Sequence, residues 1–225
     1  MHILNHRVPR IGALLLLAAV ALTVVALPGC AGFMSHMAYV LKGGHAVPAE
    51  FEGLQAKRVA VVCVSNDSVY GPNSVSSILE HSVGTLLKQN VEDIDLIHRE
   101  DVADWIDTHD WDQVNYREIG RGLNAEMVVA IDLDGFRLHE GRTLYKGRAD
   151  ITVAVYDMTK GGEVVFRKSS PEYSFPENGA RHSTEISETR FKRMFLMVLA
   201  QHVGKYFYEY YLEDDFARDA LVLEG

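Results

Sequence analysis

The pattern of apolar and polar positions predicts a sheet packed with helices. Residues 58–64 are apolar on both alternating faces, as expected of a central strand covered on both sides. Residues 145–157 contain Ile151, Val153 and Val155 in strict alternation, which predicts a strand with one buried face. Between them, an apolar stripe at helical spacing predicts a helix that follows the loop at residues 71–74 and ends near Gln89. The stripe consists of Val75, Ile78, Leu79, Val83, Leu86 and Leu87.

The same reasoning gives the remaining elements and the fold class. Further strands are predicted at residues 95–98, 127–138 and 163–167, short helices at 100–107 and 113–123, and a long last helix at 184–212. The order β-α-β-α-α-β-β-β-α predicts a single α/β domain with a mixed sheet. We therefore divide the chain into a leader at 1–29, a tether at 30–57, the domain at 58–212 and an acidic, apolar tail at 213–225.

The first thirty residues have the layout of a secretory signal peptide. Arg7 and Arg10 lie in a start without acids, residues 11–27 are almost entirely apolar, and a small-residue cluster follows at residues 28–32. A helix over the 17 apolar residues would be about 25 Å long, which is short of the roughly 30 Å hydrocarbon core. A permanent transmembrane anchor is therefore the weaker alternative.

The end of the leader resembles a bacterial lipobox. Residues 27–30 read Leu-Pro-Gly-Cys, and they depart from the usual motif in Pro28. The resemblance implies that Cys30 becomes the new amino terminus and carries several acyl chains, such as palmitate, which hold a protein durably on a membrane. Ala31 in second place favours the outer membrane, with the domain facing the periplasm. The alternatives are the inner membrane, or a cut after Ala31 that gives a soluble periplasmic protein.

Charge narrows the class of partner. The 225-residue chain has a formal net charge of −9, and because the leader contains two arginines and no acid, the mature chain carries about −11. This opposes nucleic-acid binding, which needs a basic surface that displaces counterions. It also opposes electrostatic adhesion to anionic lipid, so membrane attachment is expected to come from Cys30.

Two cysteines and ten histidines give little sign of metal or cofactor chemistry. Cys30 and Cys63 exclude a disulfide scaffold and a thiolate-only zinc site, and a single bridge between them is the alternative. Cys63 lies in the middle of the first strand, which predicts a buried, inert thiol. The histidines form no HExxH motif or close cluster, so we expect no metal site and no cofactor.

Four further stretches together resemble a known family. They are residues 58–61 (Arg-Val-Ala-Val), 96–102 (Leu-Ile-His-Arg-Glu-Asp-Val), 122–129 (Gly-Leu-Asn-Ala-Glu-Met-Val-Val) and 155–165, a strand, an Asp, a turn and a Gly-Glu strand. In this order they are similar to the curli-assembly outer-membrane lipoproteins and to the amino-terminal domain of the Tol-system protein TolB. The resemblance covers residues 57–168 and implies a periplasmic partner-binding domain, often in rings. The loops at 140–143 and 160–162 are too short to hold pore-lining strands of about 9–11 residues.

A polar loop after the first strand is a candidate ligand-binding site. Open α/β sheets bind ligands at strand carboxyl ends and helix amino termini. Ser65, Asn66, Ser74 and Ser76 offer hydroxyl and amide groups at this place. No glycine-rich phosphate motif accompanies them, so ordinary helix capping is the main expectation and a small anion site is the alternative.

Paired carboxylates are the candidate for catalysis. Asp132 and Asp134 point to one face of a strand, with Asp150 on a possible neighbour, where they could perform acid–base chemistry. Basic residues nearby favour instead a solvated strand face with mixed ion pairs. Because no nucleophile elbow is present either, we expect no enzymatic activity, with an unrecognised hydrolase as the alternative.

An aromatic run near the carboxyl end is the candidate partner-binding surface. It contains Tyr206, Phe207, Tyr208, Tyr210 and Tyr211, which on a helix would cover most of the circumference. Core packing needs only one stripe, and aromatic residues are enriched at binding hot spots. Either the tail at residues 216–223 folds over them or they form an intermolecular surface. On the same predicted helix, His202 is expected to be partly buried and hydrogen-bonded.

The sequence as a whole therefore predicts a membrane-anchored periplasmic lipoprotein. We expect a non-catalytic binding or assembly component of the cell envelope or of a secretion system, whose partner is an envelope protein or a second copy of the chain. A periplasmic sensor that binds a small ligand is the main alternative.

Overall fold

The computed structural model describes residues 46–65, 74–109 and 115–211. Cys30, Asn66 and the predicted tail lie outside these residues. The chain divides into two compact units, and the unit described below spans residues 47–210. Of the other unit, only Ala46 and Tyr211 fall within the described residues.

The described chain contains eight strands and four α-helices. The strands are β1 (Ala46–Val47), β2 (Arg58–Ser65), β3 (Asp95–Leu96), β4 (Met127–Glu140), β5 (Leu144–Asp157), β6 (Glu163–Phe175), β7 (Arg181–His182) and β8 (Tyr210–Tyr211). The helices are α1 (Val75–Asn90), α2 (Arg99–Thr108), α3 (Tyr116–Gly122) and α4 (Glu188–Gly204). A short 3₁₀ turn, Met158–Lys160, connects β5 to β6.

The main sheet is mixed, as predicted. Its strand order is β3-β2-β4-β5-β6, and β7 pairs with β5. β2 runs parallel to β3 and to β4, whereas β4, β5 and β6 are antiparallel neighbours. The register places Val61 beside Val129 and Val129 beside Val155. The predicted α/β fold with a mixed sheet is therefore confirmed.

Helices cover the β2 side of the sheet on both faces, which explains why β2 is apolar on both sides. Ala60 and Val62 belong to a buried cluster with residues of α2 and α3. The alternate residues Val59 and Val61 point to the opposite face, where α1 packs on β2 and on α4. α4 in turn packs on β4 and β5. Phe191 and Phe195 of α4 are fully buried.

Two element boundaries differ most from the prediction. α4 ends at Gly204 rather than at residue 212, because the chain tightens there: the amides of Tyr206 and Phe207 bond the carbonyls of Val203 and Gly204, three residues back. β6 continues to Phe175, well past the predicted end at Arg167. Residues 167–172 contain no large apolar side chain and are exposed except for Ser170, so this stretch lacks the alternation that a half-buried strand shows.

The compact unit also begins earlier than the predicted domain. Leu54 is fully buried, and Phe51 donates its backbone N–H to the carbonyl of Tyr206 at 2.9 Å. Phe51 and Leu54, in the stretch predicted as the end of the tether, thus pack against the rest of the unit. Within the described ranges, no helix has the length and apolarity that crossing a bilayer requires.

Candidate binding surfaces

The serine cluster at the start of α1 forms a helix cap. Ser74 is buried, and its Oγ accepts a hydrogen bond from the amide of Ser77 at 3.1 Å. The hydroxyls of Ser74 and Ser76 lie 3.1 Å apart. The expected capping is confirmed for Ser74. Ser65 is the last residue of β2 and is half-buried, whereas Asn66 lies outside the described residues, so the predicted ligand site stays a prediction.

A contact that the sequence did not predict joins α1 to α2. The Nη1 atom of Arg99 donates to the hydroxyl of Ser77 at 3.0 Å. Arg99 is the first residue of α2, and Ser77 lies in the first turn of α1. Arg99 also lies 3.8 Å from the carboxylate of Glu100. The contact holds the amino ends of the two helices together.

The predicted carboxylate face is only partly an ion-pair surface. The carboxylate of Asp132 accepts a hydrogen bond from the hydroxyl of Tyr116 on α3. Burial, together with this hydrogen bond to Asp132, raises the pKa of Tyr116. Asp150 accepts from the amide of Glu172 at 2.6 Å. Asp132 and Asp150 thus accept these hydrogen bonds from uncharged groups rather than from the predicted cations.

Cys63 lies between the two helical layers as a free, buried thiol. Burial raises the pKa of this thiol well above its usual value, and the carboxylates of Glu80 and Asp132 add to the effect. The thiolate is the reactive form of cysteine. Cys63 is therefore protonated at neutral pH, and the predicted burial of this thiol is confirmed.

The first two aromatic residues of the predicted partner surface are part of the core. Tyr206 is 6% exposed and Phe207 is 3% exposed. The ring of Phe207 lies 6.4 Å from that of Phe51 and 5.8 Å from that of Phe166. These two rings are folded inward because the chain has left the helix, and the partner-binding role of the aromatic run stays a prediction. Tyr208, Tyr210 and Tyr211 are half-buried.

His202 is hydrogen-bonded as predicted. Its Nε2 atom lies 2.9 Å from the hydroxyl of Ser170 and 2.9 Å from the hydroxyl of Tyr206. Burial lowers the pKa of His202 to about 4, and the nearby charge of Lys205 contributes in the same direction. The ring is therefore neutral at physiological pH and joins α4 to β6.

The outer edge of β6 is one edge of the main sheet. β6 is 13 residues long and stands at the end of the strand order. Register shifts lie between residues 164 and 166 and between residues 170 and 173, so the regular pairing with β5 covers residues 166–170. Among the described residues, β5 alone pairs with the main chain of this stretch. The sequence prediction ended this strand at Arg167 and so missed the edge.

A cleft opens at the other edge of the sheet, between α1, β3 and the start of α2. Its volume is about 430 Å³. Val61, Leu96 and Ile97 line it from the sheet side. The α1 side is formed by Glu80, His81, Gly84, Thr85, Lys88 and Gln89, and the α2 end by His98, Arg99 and Glu100. In the described part of the chain, no group of three or more metal-ligating side chains is found.

No family model and no curated protein matches the chain. Several solved structures are similar in fold. The PelC dodecamer from Paraburkholderia phytofirmans is 15% identical, with 72% of this chain and 94% of that chain covered and a TM-score of 0.40. Lipoprotein GNA1162 from Neisseria meningitidis is 11% identical, with 65% and 98% covered and a TM-score of 0.40. A minor lipoprotein from Acinetobacter baumannii is 12% identical, with 67% and 91% covered and a TM-score of 0.34.

Similar solved structures thus include bacterial lipoproteins. Identities and TM-scores at this level carry no argument about function, which depends on the residues of this chain.

Proposed function

We propose that this chain is a lipid-anchored, non-catalytic component of the bacterial envelope that binds another protein along the outer edge of β6. The observation that carries the proposal is the open main chain of residues 166–170 at the end of the sheet. The lipobox-like residues 27–30 supply the membrane attachment. On this proposal the domain faces the periplasm from the outer membrane and is related to the curli-assembly and TolB group.

An open strand edge binds proteins because it offers unpaired hydrogen-bonding groups. In an antiparallel pair, alternate N–H and C=O groups of an edge strand point away from its neighbour. An extended segment of a partner that adds to the sheet satisfies these groups, and side chains on the two faces then give specificity. The exposed Arg167 lies in the middle of the regular stretch and favours a partner segment with an acid opposite it.

The same edge carries features that limit unselective pairing. Pro171 lacks an N–H group, and the two register shifts bend the strand on both sides of residues 166–170. The positive charges of Arg167 and Lys168 oppose pairing of two β6 edges side by side, although Lys168 is also held by Glu50 at 2.8 Å. A short edge with these features favours binding of a specific partner over aggregation.

A photo-cross-linker placed at Arg167 tests the partner surface. The full chain, produced in its native host with a benzophenone amino acid at Arg167, is expected to cross-link one main protein in intact cells. The matched control carries the same group at Arg193, an exposed residue of α4, and is expected to give no such product. Equal cross-linking from both positions, or none from Arg167, would exclude β6 as the binding edge.

The anchor needs its own measurement. Mass spectrometry of the mature amino terminus is expected to show an acylated Cys30, and Cys30→Ser is expected to release the protein from membranes. An unmodified amino terminus at Gly32 would contradict the anchor without bearing on β6.

A further inference from the structure

The cleft between α1, β3 and α2 has the size and composition of a small-ligand site. Ligand pockets commonly have volumes of roughly 300–1,000 Å³, mostly apolar walls and a few polar groups, and this cleft measures about 430 Å³. Val61, Leu96 and Ile97 make its sheet side apolar, while charged residues stand around the opening. It is at the opposite end of the sheet from β6.

Gly84 gives the cleft its depth. It lies in the interior of α1, where glycine costs roughly 0.5–1 kcal/mol relative to alanine. A Cβ atom at this position would meet nothing within 4 Å. Within the described chain, packing therefore does not require the missing side chain. The space above Gly84 instead leaves room for an apolar group that comes from outside.

The α2 end of the cleft is suited to an anion. His98 is the N-cap of α2, and its side chain makes no capping hydrogen bond to the first N–H groups of the helix, in a turn that also carries Glu100 and Asp101. The partial positive charge of a helix amino terminus attracts anions. The guanidinium of Arg99 lies at the same end, and the hydroxyl of Ser77 fixes it at 3.0 Å through Nη1. Guanidinium has five N–H donors, and the bond to Ser77 uses one donor on Nη1.

Two α1 side chains along the wall complete the polar set. Lys88 donates to the carbonyl of Ile94 at 2.9 Å, which keeps its charge at the opening. Glu80 is partly buried between Cys63 and Arg99. Burial raises the pKa of Glu80 to about 8, Arg99 lowers it and Glu100 raises it further. At neutral pH this carboxyl is mostly protonated and can donate a hydrogen bond to an anionic group.

We infer that this cleft binds a small amphiphilic carboxylate, with the apolar part above Gly84 and the carboxylate at Arg99 and the start of α2. Such a ligand uses the apolar sheet side, the open space on α1 and the uncapped amino terminus of α2 together. The inference goes beyond the proposed function, since neither the anchor nor β6 takes part in it.

Three probes with the same six-carbon body test the inference by calorimetry. They are hexanoate, hexan-1-ol and hexylamine, titrated into the full mature chain at pH 7, with nanodiscs and empty-nanodisc blanks when the chain is acylated. Hexanoate is expected to bind at one saturable site, at least about tenfold more tightly than the other two. Absence of saturable hexanoate binding, or equal binding of hexylamine, would overturn the inference.

Gly84→Leu separates loss of the site from loss of the fold. The leucine fills the cleft and improves helix propensity, so it is expected to abolish hexanoate binding while leaving the melting temperature equal or higher. Arg193→Leu on the exposed face of α4 is the matched control and should bind as the wild type does. Undiminished hexanoate binding by Gly84→Leu would refute the location. A negative result leaves the cross-linking at Arg167 and the acylation of Cys30 unaffected, so the two proposals fail separately.

Discussion

The guanidinium of Arg99 donates a hydrogen bond to the hydroxyl of Ser77 across 3.0 Å. Twenty-two positions separate the two residues in sequence, and the bond connects the amino ends of α1 and α2. It places a fixed positive charge beside the cleft.

Removing this bond is expected to lower stability. Ser77→Ala and Arg99→Met each remove one partner, and a hydrogen bond of this kind contributes about 0.5–1.5 kcal/mol. Urea unfolding of the wild type, both single variants and the double variant gives the coupling energy. We expect a coupling in that range, and a coupling near zero would show that the bond contributes nothing to the free energy of unfolding.

The N-cap of α1 is expected to contribute more to the free energy of unfolding than the N-cap of α4. Ser74 is buried and accepts at 3.1 Å, whereas Ser187 accepts from the amide of Arg190 at 3.4 Å. Ser74→Ala should lower the free energy of unfolding by about 1 kcal/mol. Ser74→Asp should retain most of the stabilisation that the cap contributes. Ser187→Ala is the comparison, and a larger loss there than at Ser74 would contradict the ranking.

Glu80 is expected to make the fold less stable as pH rises. The pKa of its carboxyl is raised from 4.5 to about 8 in the folded protein. Between these values the folded chain binds a proton that the unfolded chain has released, so stability is fully present below pH 4.5 and declines toward pH 8.

Glu80→Gln isolates this contribution, because glutamine cannot titrate. We expect urea unfolding at pH 5, 6, 7 and 8 to show that the free energy of unfolding of Glu80→Gln, relative to that of the wild type, increases at each step in pH. Glu118→Gln, on the exposed side of α3, is the control. Curves for Glu80→Gln and the wild type that run parallel over this range would contradict the raised pKa of Glu80.

In contrast to Glu80, His202 is expected to make the fold less stable as pH falls. Its pKa falls from 6.5 to about 4 on folding, so the unfolded chain binds the proton first as pH falls. Stability from the neutral ring is present above pH 6.5 and is lost as pH approaches 4. The melting temperature of the wild type should therefore exceed that of His202→Gln most clearly at pH 7, and the gap should narrow at pH 5. A gap that widens in acid would contradict the lowered pKa.

Local sequence patterns correctly predicted individual strands, helices and turns. The apolar run of β2 indicated a strand covered on both faces, and Val75, Leu79, Val83 and Leu87 of the predicted stripe are all buried. The turn after Asp157 also follows from sequence, since Gly161 and Gly162 adopt positive φ angles of 73° and 83°.

Contacts between distant segments could not be predicted in this way. The bond between Arg99 and Ser77, and the ring contact of Phe51 with Phe166 at 5.5 Å, depend on how the helices and strands lie in space. The length of β6 was missed because an edge strand in water needs no apolar alternation. The aromatic run was misplaced because α4 ends at Gly204, which turns Tyr206 and Phe207 toward the core.

The packing of Phe51 against Phe166 and Phe207 limits how far the domain can lie from its lipid attachment point. If Cys30 is the lipid attachment point, 21 residues of chain connect it to Phe51, whose ring is the first that packs on the domain. This connection is shorter than the predicted tether, which extends to the residue before Arg58. Fully extended, that chain spans at most about 75 Å. Because Phe51 lies against Phe166, a partner that binds at residues 166–170 as proposed has to come within about this distance of the membrane surface.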